Sequence, residues 1–108
     1  MEIIEISDIA SAILDKIGTQ NEVNDMAEKI LVVDDERDIA NLLEVYLRNE
    51  NYIVYKYYCA QDAIQCIENN EIDLAILDIM LQDMSGFSLC RKKKKKYTYP
   101  IIMLTAKI

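Results

Sequence analysis

The feature that most constrains the fold is a pair of short, uninterrupted apolar runs that each end in aspartate. Residues 30–33 lead into Asp34 and Asp35, and residues 74–77 lead into Asp78. Runs of this length and composition are typical of strands buried on both faces of a parallel sheet. In such sheets, functional groups gather at the carboxyl ends of the strands. If the two strands are neighbours, three carboxylates converge, and such a cluster is stable mainly when a divalent cation neutralises it.

Strand and helix patterns alternate along the rest of the chain. Residues 52–58 are aromatic and β-branched, which favours a strand, and residues 101–104 form another apolar run. Strands separated by helices of about ten residues indicate right-handed crossovers and a parallel sheet, so the predicted class is α/β. The other predicted elements are a helix with Ile39, Leu42, Leu43, Tyr46 and Leu47 on its apolar face, a helix burying Ala63, Ile64 and Ile67, a turn at 82–86 and a helix over 87–96.

Composition excludes several classes of function. The net charge of −7 gives no global basic character for nucleic-acid binding. No apolar run approaches the roughly 20 residues that span a bilayer, and no leader pattern is present, so we expect a cytoplasmic protein without a membrane segment. The absence of histidine excludes histidine-based acid–base and phosphohistidine chemistry in this chain. Cys59, Cys66 and Cys90 lack the spacing of a zinc or disulfide framework and are expected to be reduced.

Three separated segments of the chain resemble the receiver domain of two-component response regulators. They are residues 34–36, 72–81 and 98–105. The first two contain the aspartates, and the third leads into the strand end Leu104-Thr105-Ala106. The amino-acid sequences of the second and third segments are similar to those of the vancomycin-resistance type of regulator, which belongs to the winged-helix transcription-factor subfamily. The similarity runs from about residue 26 to residue 106, and several motifs in the right order are more specific than one short motif.

The resemblance implies a flavodoxin-like, three-layer sandwich in which the four strands from residue 30 onward lie in the order 2-1-3-4. It implies that Asp78 accepts a phosphoryl group from a sensor histidine kinase in phosphorelay signal transduction. It also implies that Asp34, Asp35, Asp78 and the backbone carbonyl of Met80 hold Mg²⁺. Thr105 would donate a hydrogen bond to the transferred phosphoryl group. A module of this kind is a phosphoacceptor and is not expected to be an enzyme.

The sequence departs from the family pattern in several places. It stops before the fourth helix, fifth strand and fifth helix of a receiver, so the lysine that opens the fifth strand is missing, and Lys107 is too close to Thr105 to replace it. Gln82 stands where proline is usual, which loosens the loop, and Cys59 stands where a Ser or Thr helix cap is expected. The lysine run at 92–96 is read as a solvated helix end. Direct DNA binding is not expected.

Residues 1–25 form an extension before the truncated receiver, which we place at residues 26–108. Residues 2–6 predict a short strand, Ser7 is a candidate N-cap, and Gly18 closes the helix that follows. We expect this strand to lie beside the fourth strand and its helix to lie on the face of the first receiver helix, where they replace the missing fifth strand and helix. The pairing is possible within one chain or by exchange in a homodimer, and a frayed or partner-binding arm is the alternative. The helix's apolar face is predicted to contain Ile9, Ala10, Ile13, Leu14 and Ile17.

Three interpretations of function follow. The first is a receiver-like signalling module that is phosphorylated on Asp78 with Mg²⁺. The second is a non-catalytic decoy that binds a kinase or an intact regulator without productive phosphorylation. The third is an inactive remnant of a response regulator, which the lysine run and the abrupt end favour. Mg²⁺-dependent phosphorylation by a small phosphodonor separates the first from the other two.

Overall fold

The computed structural model describes residues 2–17, 27–91 and 99–105, which form a parallel sheet with helices on both faces. Three sequence features lie outside the described residues, so the predictions made for them stay predictions. They are the lysine run at 92–96, Gly18 and Lys107. The strands are β1 (Glu2–Ile4), β2 (Lys29–Val33), β3 (Ile53–Tyr57), β4 (Leu74–Asp78) and β5 (Ile101–Leu104). The helices are α1 (Ile9–Ile17), which follows a 3-10 turn at Ile6–Asp8, α2 (Arg37–Asn49), α3 (Ala60–Asn69) and α4 (Gly86–Cys90).

All the strand pairs are parallel, and the sheet order is β1-β5-β4-β2-β3. The order of the four strands from β2 onward is the one that the family resemblance implies, so this prediction is confirmed. The N-terminal strand β1 adds to the sheet beside β5, with Ile4 level with Leu104. The pairing occurs within one chain. The segment before the receiver-like part therefore supplies a fifth strand, as predicted.

Alternation along the central strands divides the core into two layers. Because successive strand residues point to opposite faces, each buried strand contributes to both layers. This explains why β2 and β4 are continuous apolar runs without polar alternation. One layer, against α1 and α2, contains Ile30, Val32, Leu74, Ile76, Ile102 and Leu104; the other, against α3, contains Leu31, Val33, Ala75, Leu77, Ile101 and Met103.

Helix α1 packs on the same face of the sheet as α2, as predicted. Ile9, Ala12 and Ile13 are buried in the core layer that also contains the apolar residues of α2. The predicted stripe was wrong at Leu14, which is 47% exposed. The prediction of Ser7 as N-cap was also wrong, because that residue lies inside the 3-10 turn before α1. The residues predicted to be helical do form a helix with one buried side. That buried side includes Ala12 in place of Leu14.

Two predicted helices differ from the structure in detail. In α2 the residues Leu43 and Leu47 are buried, whereas Leu42 is 61% exposed, so its assignment to the apolar face was wrong. In α3 the buried set includes Ala63 and Ile67 as predicted. The helix predicted over 87–96 begins at Gly86 and is described as far as Cys90.

Within the described ranges, no helix is long and apolar enough to cross a membrane.

The Glu28 and Asp73 side chains form an acidic pair at the amino-terminal edge of the sheet. Burial, the charge of Asp73 and a hydrogen bond to Asp73 raise the pKa of Glu28 above its ordinary value. The raised folded-state pKa means that ionised Glu28 destabilises the fold above that pKa, and this penalty disappears once the pH falls below the unfolded-state value. We expect Glu28→Gln to raise the free energy of unfolding by roughly 0.5 kcal/mol at pH 7 and to change nothing in mild acid.

Urea denaturation of both proteins at neutral and acidic pH measures this difference. Glu68→Gln is the matched control, because Glu68 is exposed on α3 and should leave stability unchanged at either pH. Equal stability of Glu28→Gln and the parent chain at pH 7 would contradict the expectation.

Candidate metal centre

Three aspartates meet at the carboxyl edge of the sheet. Asp34 and Asp35 directly follow β2, Asp78 is the last residue of β4, and these two strands are hydrogen-bonded neighbours. One carboxylate oxygen from each of the three residues lies within 4.8 Å of the other two. Asp34 is fully buried and Asp78 is 1% exposed, while Asp35 is half-buried. The convergence expected from the ends of the two strands is therefore present.

The backbone just after each strand orients these carboxylates. The Glu36 N–H donates to Asp34 Oδ1 at 2.9 Å, and the Met80 N–H donates to Asp78 Oδ1 at 3.0 Å. Both are hydrogen bonds from a side chain to the amide two residues on, the pattern of an Asx turn. The ladder also continues past the strands, because the Asp34 N–H donates to the Tyr57 carbonyl at 3.1 Å. The acidic side chains are thus held by local turns at the end of a rigid sheet.

The loop after Asp78 returns closely against its own start. Met80 and Ser85 form an antiparallel bridge, and the Gly86 N–H donates to the Ile79 carbonyl at 2.7 Å. A Cβ on Gly86 would clash with the carbonyl oxygen of Asp78, which belongs to backbone that cannot rotate away. Glycine is therefore required here by the close approach of two backbone segments.

Asp83 in this loop caps helix α3, a contact that the sequence did not predict. Its Oδ1 accepts from the Ala60 N–H at 3.1 Å and its Oδ2 accepts from the Gln61 N–H at 2.9 Å. Cys59 occupies the N-cap position and makes no side-chain cap hydrogen bond, as the sequence indicated. The expected loss of a cap is nevertheless wrong, because Asp83 supplies it from another part of the chain. Nothing in the local sequence around Cys59 signals this.

The environment of Asp83 favours its charged form. Partial burial opposes ionisation, but hydrogen bonds from the backbone N–H groups of Gln61 and Ala60, then of Asp83 and Met84, together lower the pKa of Asp83 below its ordinary value. A carboxylate at a helix N-terminus also interacts favourably with the helix dipole. Asp83 is thus an anionic cap at neutral pH.

Thr105 follows β5 at the same edge of the sheet and is exposed. Its hydroxyl donates to the Ile4 carbonyl at 3.3 Å, and its N–H donates to the same oxygen at 2.9 Å. The residue predicted to contact a phosphoryl group is therefore bonded to the N-terminal strand β1. The sequence did not indicate this link, since the two residues are 101 positions apart.

A charged and aromatic cluster lies beside the acidic site, where α2 begins. The Arg37 guanidinium stacks on the Tyr58 ring at 4.0 Å, and the Tyr58 hydroxyl donates to Asn41 Oδ1 at 2.8 Å. Lys56 Nζ contacts Glu44 at 2.8 Å, and its hydrogen bond to that carboxylate is the main reason that the pKa of Glu44 is lowered. These contacts join the first half of α2 to the end of β3.

The donor set fits a hard divalent cation. Carboxylate and carbonyl oxygens are the ligands that Mg²⁺ and Ca²⁺ prefer, and each buried carboxylate is costly to keep ionised without a compensating positive charge. The residues that could hold the ion are Asp34, Asp35 and Asp78, with the backbone carbonyl of Met80 as the predicted fourth ligand. The predicted ligand is the backbone oxygen of Met80 and not its side chain, because a thioether is too soft a donor for Mg²⁺.

Comparison with known proteins identifies the same family that the sequence motifs resemble. The family model for the response regulator receiver domain matches residues 30–108. The regulatory protein VanR of Enterococcus faecium is 62% identical over 82 residues, which are 76% of this chain and 36% of that protein. VanRc of Enterococcus gallinarum is 49% identical over 82 residues, with the same coverage. The chain thus spans about a third of the length of these relatives.

Solved structures show the same architecture. A response regulator receiver domain protein (CheY-like) from Methanospirillum hungatei JF-1 superposes with a TM-score of 0.71 and 33% sequence identity. The match covers 77% of this chain and 67% of that protein. A two-component response regulator from Clostridium difficile matches with a TM-score of 0.66 and 33% identity over 70% of this chain and 63% of that one.

Proposed function

Because the chain belongs to the response regulator receiver family, we propose that it acts in a two-component phosphorelay by accepting a phosphoryl group on Asp78. The observation that carries this proposal is the convergence of Asp34, Asp35 and Asp78 within 4.8 Å at the carboxyl ends of neighbouring strands. In this proposal the donor is the phosphohistidine of a sensor kinase, the partner that membership of the receiver family implies.

In the proposed reaction, a carboxylate oxygen of Asp78 attacks phosphorus, the bond from phosphorus to the donor nitrogen breaks, and an acyl phosphate forms. The chain contributes mainly by positioning, which is most of what phosphoryl transfer requires of a protein. The Met80 N–H holds Asp78 Oδ1 and so fixes the rotation of the carboxylate. A divalent cation held by the three aspartates would neutralise the repulsion between the anionic carboxylate and the anionic phosphoryl group.

Thr105 is the proposed hydroxyl contact for the transferred phosphoryl group, and this role has a consequence for β1. The Thr105 hydroxyl now donates to the Ile4 carbonyl. A hydroxyl has one proton to donate, so a hydrogen bond to the phosphoryl group replaces the one to Ile4. Phosphorylation would then weaken the attachment of the N-terminal strand, which gives a route from the phosphate to the edge of the sheet.

The decisive test is phosphorylation by acetyl phosphate in the presence of Mg²⁺. We expect the intact protein to gain the mass of one phosphoryl group, and we expect hydroxylamine, which cleaves acyl phosphates, to remove it. Chelation of Mg²⁺ should suppress the gain because the repulsion described above returns. Intact-protein mass spectrometry measures all three results.

Asp78→Asn should abolish the mass gain, whereas Asp62→Asn, an exposed acid on α3, should leave it unchanged. A gain that persists in Asp78→Asn would reject Asp78 as the acceptor. Folded protein that binds Mg²⁺ and shows no gain would replace the proposal with a module that docks a kinase without being phosphorylated.

A further inference from the structure

The loop between β4 and α4 carries the backbone of Met80 past the acidic site. Its first half is held by the hydrogen bond from the Met80 N–H to Asp78 and by burial of Leu81 in the core layer under α3. Its far end is held by the hydrogen bond from the Gly86 N–H to the Ile79 carbonyl. Its tip is exposed at Gln82 and Asp83. Among the residues that the structure describes, the Ala60 and Gln61 N–H groups reach this tip from α3 and donate to the Asp83 carboxylate.

Asp83 contacts the chain next to two positions that depart from the pattern the family resemblance implies. Gln82 stands where that pattern has proline, a residue that restricts a loop. Cys59 stands where a Ser or Thr would cap α3, so the helix has lost a local acceptor for its first N–H groups. The carboxylate of Asp83 joins the loop to those N–H groups, and each of the two elements then restrains the other.

We propose that Asp83 is a positioning residue for the cation site, because it ties the loop that carries Met80 to the N-terminus of α3. This inference rests on the proposed function only in that Mg²⁺ is taken as the ion. The tether acts through the loop backbone, because the Asp83 carboxylate accepts hydrogen bonds from the Ala60 and Gln61 N–H groups of α3. Residues that orient a metal ligand from outside the coordination sphere typically change affinity by 10–100-fold when they are removed.

The test separates positioning from helix capping. Asp83→Ala removes both functions, and Cys59→Ser in the same chain returns a local cap to α3 without restoring the tether. We expect the double variant to recover the urea midpoint lost in Asp83→Ala. We expect its Kd for Mg²⁺, measured by isothermal titration calorimetry, to stay about tenfold higher than that of the parent chain.

A control variant distinguishes a weaker helix from a released loop. Gln65→Gly lies on the exposed middle of α3 and lowers helix stability without contacting the loop. It should lower the urea midpoint and leave the Kd for Mg²⁺ unchanged. Amide hydrogen exchange at Met80 and Gly86, measured without Mg²⁺, should accelerate in both chains that lack Asp83 and not in Gln65→Gly.

The outcomes that overturn the inference are specific. If the Cys59→Ser/Asp83→Ala chain binds Mg²⁺ as tightly as the parent and its loop amides exchange at the parental rate, Asp83 is a cap and nothing more. If the parent chain binds no Mg²⁺, the proposed function fails, while the exchange rates at Met80 and Gly86 still decide whether Asp83 holds the loop. Parental exchange rates in Asp83→Ala would reject the tether under either condition.

Discussion

Removal of residues 1–17 is expected to abolish cooperative unfolding of this protein. The deletion takes away β1, which covers the outer edge of β5, and α1, which covers one core layer. Ile102 and Leu104, now buried, would become exposed along an unpaired strand edge. Each fully buried isoleucine contributes about 1.5–3 kcal/mol, so losing Ile4, Ile9 and Ile13 costs on the order of 5 kcal/mol. That is comparable to the whole stability of a small domain.

Urea unfolding followed by circular dichroism measures cooperativity, and binding of a hydrophobic dye reports the uncovered layer. The deleted chain should lose its sigmoidal transition and bind the dye in buffer alone. A deletion variant that unfolds with the parental midpoint would show that the N-terminal segment is a dispensable arm.

A single substitution tests the same contact without removing chain. Ile13 is 2% exposed in the layer shared with α2, so Ile13→Ala should lower the free energy of unfolding by about 3 kcal/mol. Its neighbour Leu14 is 47% exposed, and Leu14→Ala should cost less than about 1 kcal/mol. Equal effects of the two substitutions would contradict the packing of α1 described above.

Because β1 pairs with β5 of its own chain, unfolding should not depend on protein concentration. A strand exchanged between two chains would make the midpoint rise with concentration. The same denaturation experiment at two protein concentrations therefore separates the arrangement seen here from the homodimer that the sequence left open.

Gly86→Ala is the substitution for which we expect the largest effect near the site. The added methyl group would clash with the Asp78 carbonyl oxygen and would lie 3.1 Å from the Ile79 Cα. Both neighbours are backbone, so the β4–α4 loop has to move as a whole. We expect a loss of about 3 kcal/mol of stability, at the upper end of the range for overpacking.

The same substitution should also weaken Mg²⁺ binding, because the displaced backbone begins at Asp78 and carries Met80. Urea denaturation and calorimetric titration of Mg²⁺ measure the two effects. Gln82→Ala is the control, since Gln82 is exposed in the same loop and should change neither quantity appreciably. Parental stability of Gly86→Ala would mean that the loop can be displaced at little cost.

Much of this architecture could be predicted from residue patterns. The runs that became β2 and β4 lack polar alternation because both of their faces are buried, and that composition can be read directly from the amino-acid sequence. The sequence also places three aspartates at the ends of these runs, namely Asp34, Asp35 and Asp78. Because the carboxyl ends of parallel strands lie at the same edge of a sheet, a parallel sheet was enough to predict that they lie together. The apolar period of residues 9–17 likewise indicated a helix with one buried side.

The facing of individual helix residues was predicted less well. Leu14 and Leu42 were assigned to buried stripes and are exposed, whereas Ala12 is buried. An apolar period fixes the axis of a stripe only to within one residue position, since neighbouring positions on a helix differ by about 100°. Which side of a wide stripe touches the sheet depends on the helix that packs beside it.

The sequence by itself determined where the strands and their acidic ends lie, since burial on both faces imposes a local composition. Only the tertiary structure decided that Asp83 caps α3, whose first two N–H groups lie 23 and 22 residues before it in the sequence. The same is true of the hydrogen bond from Thr105 to Ile4, two residues that are 101 positions apart. A hydrogen bond between distant residues leaves no periodic trace in either segment. It exists because folding places a donor and an acceptor side by side, which depends on the order of the strands and the packing of the helices on them.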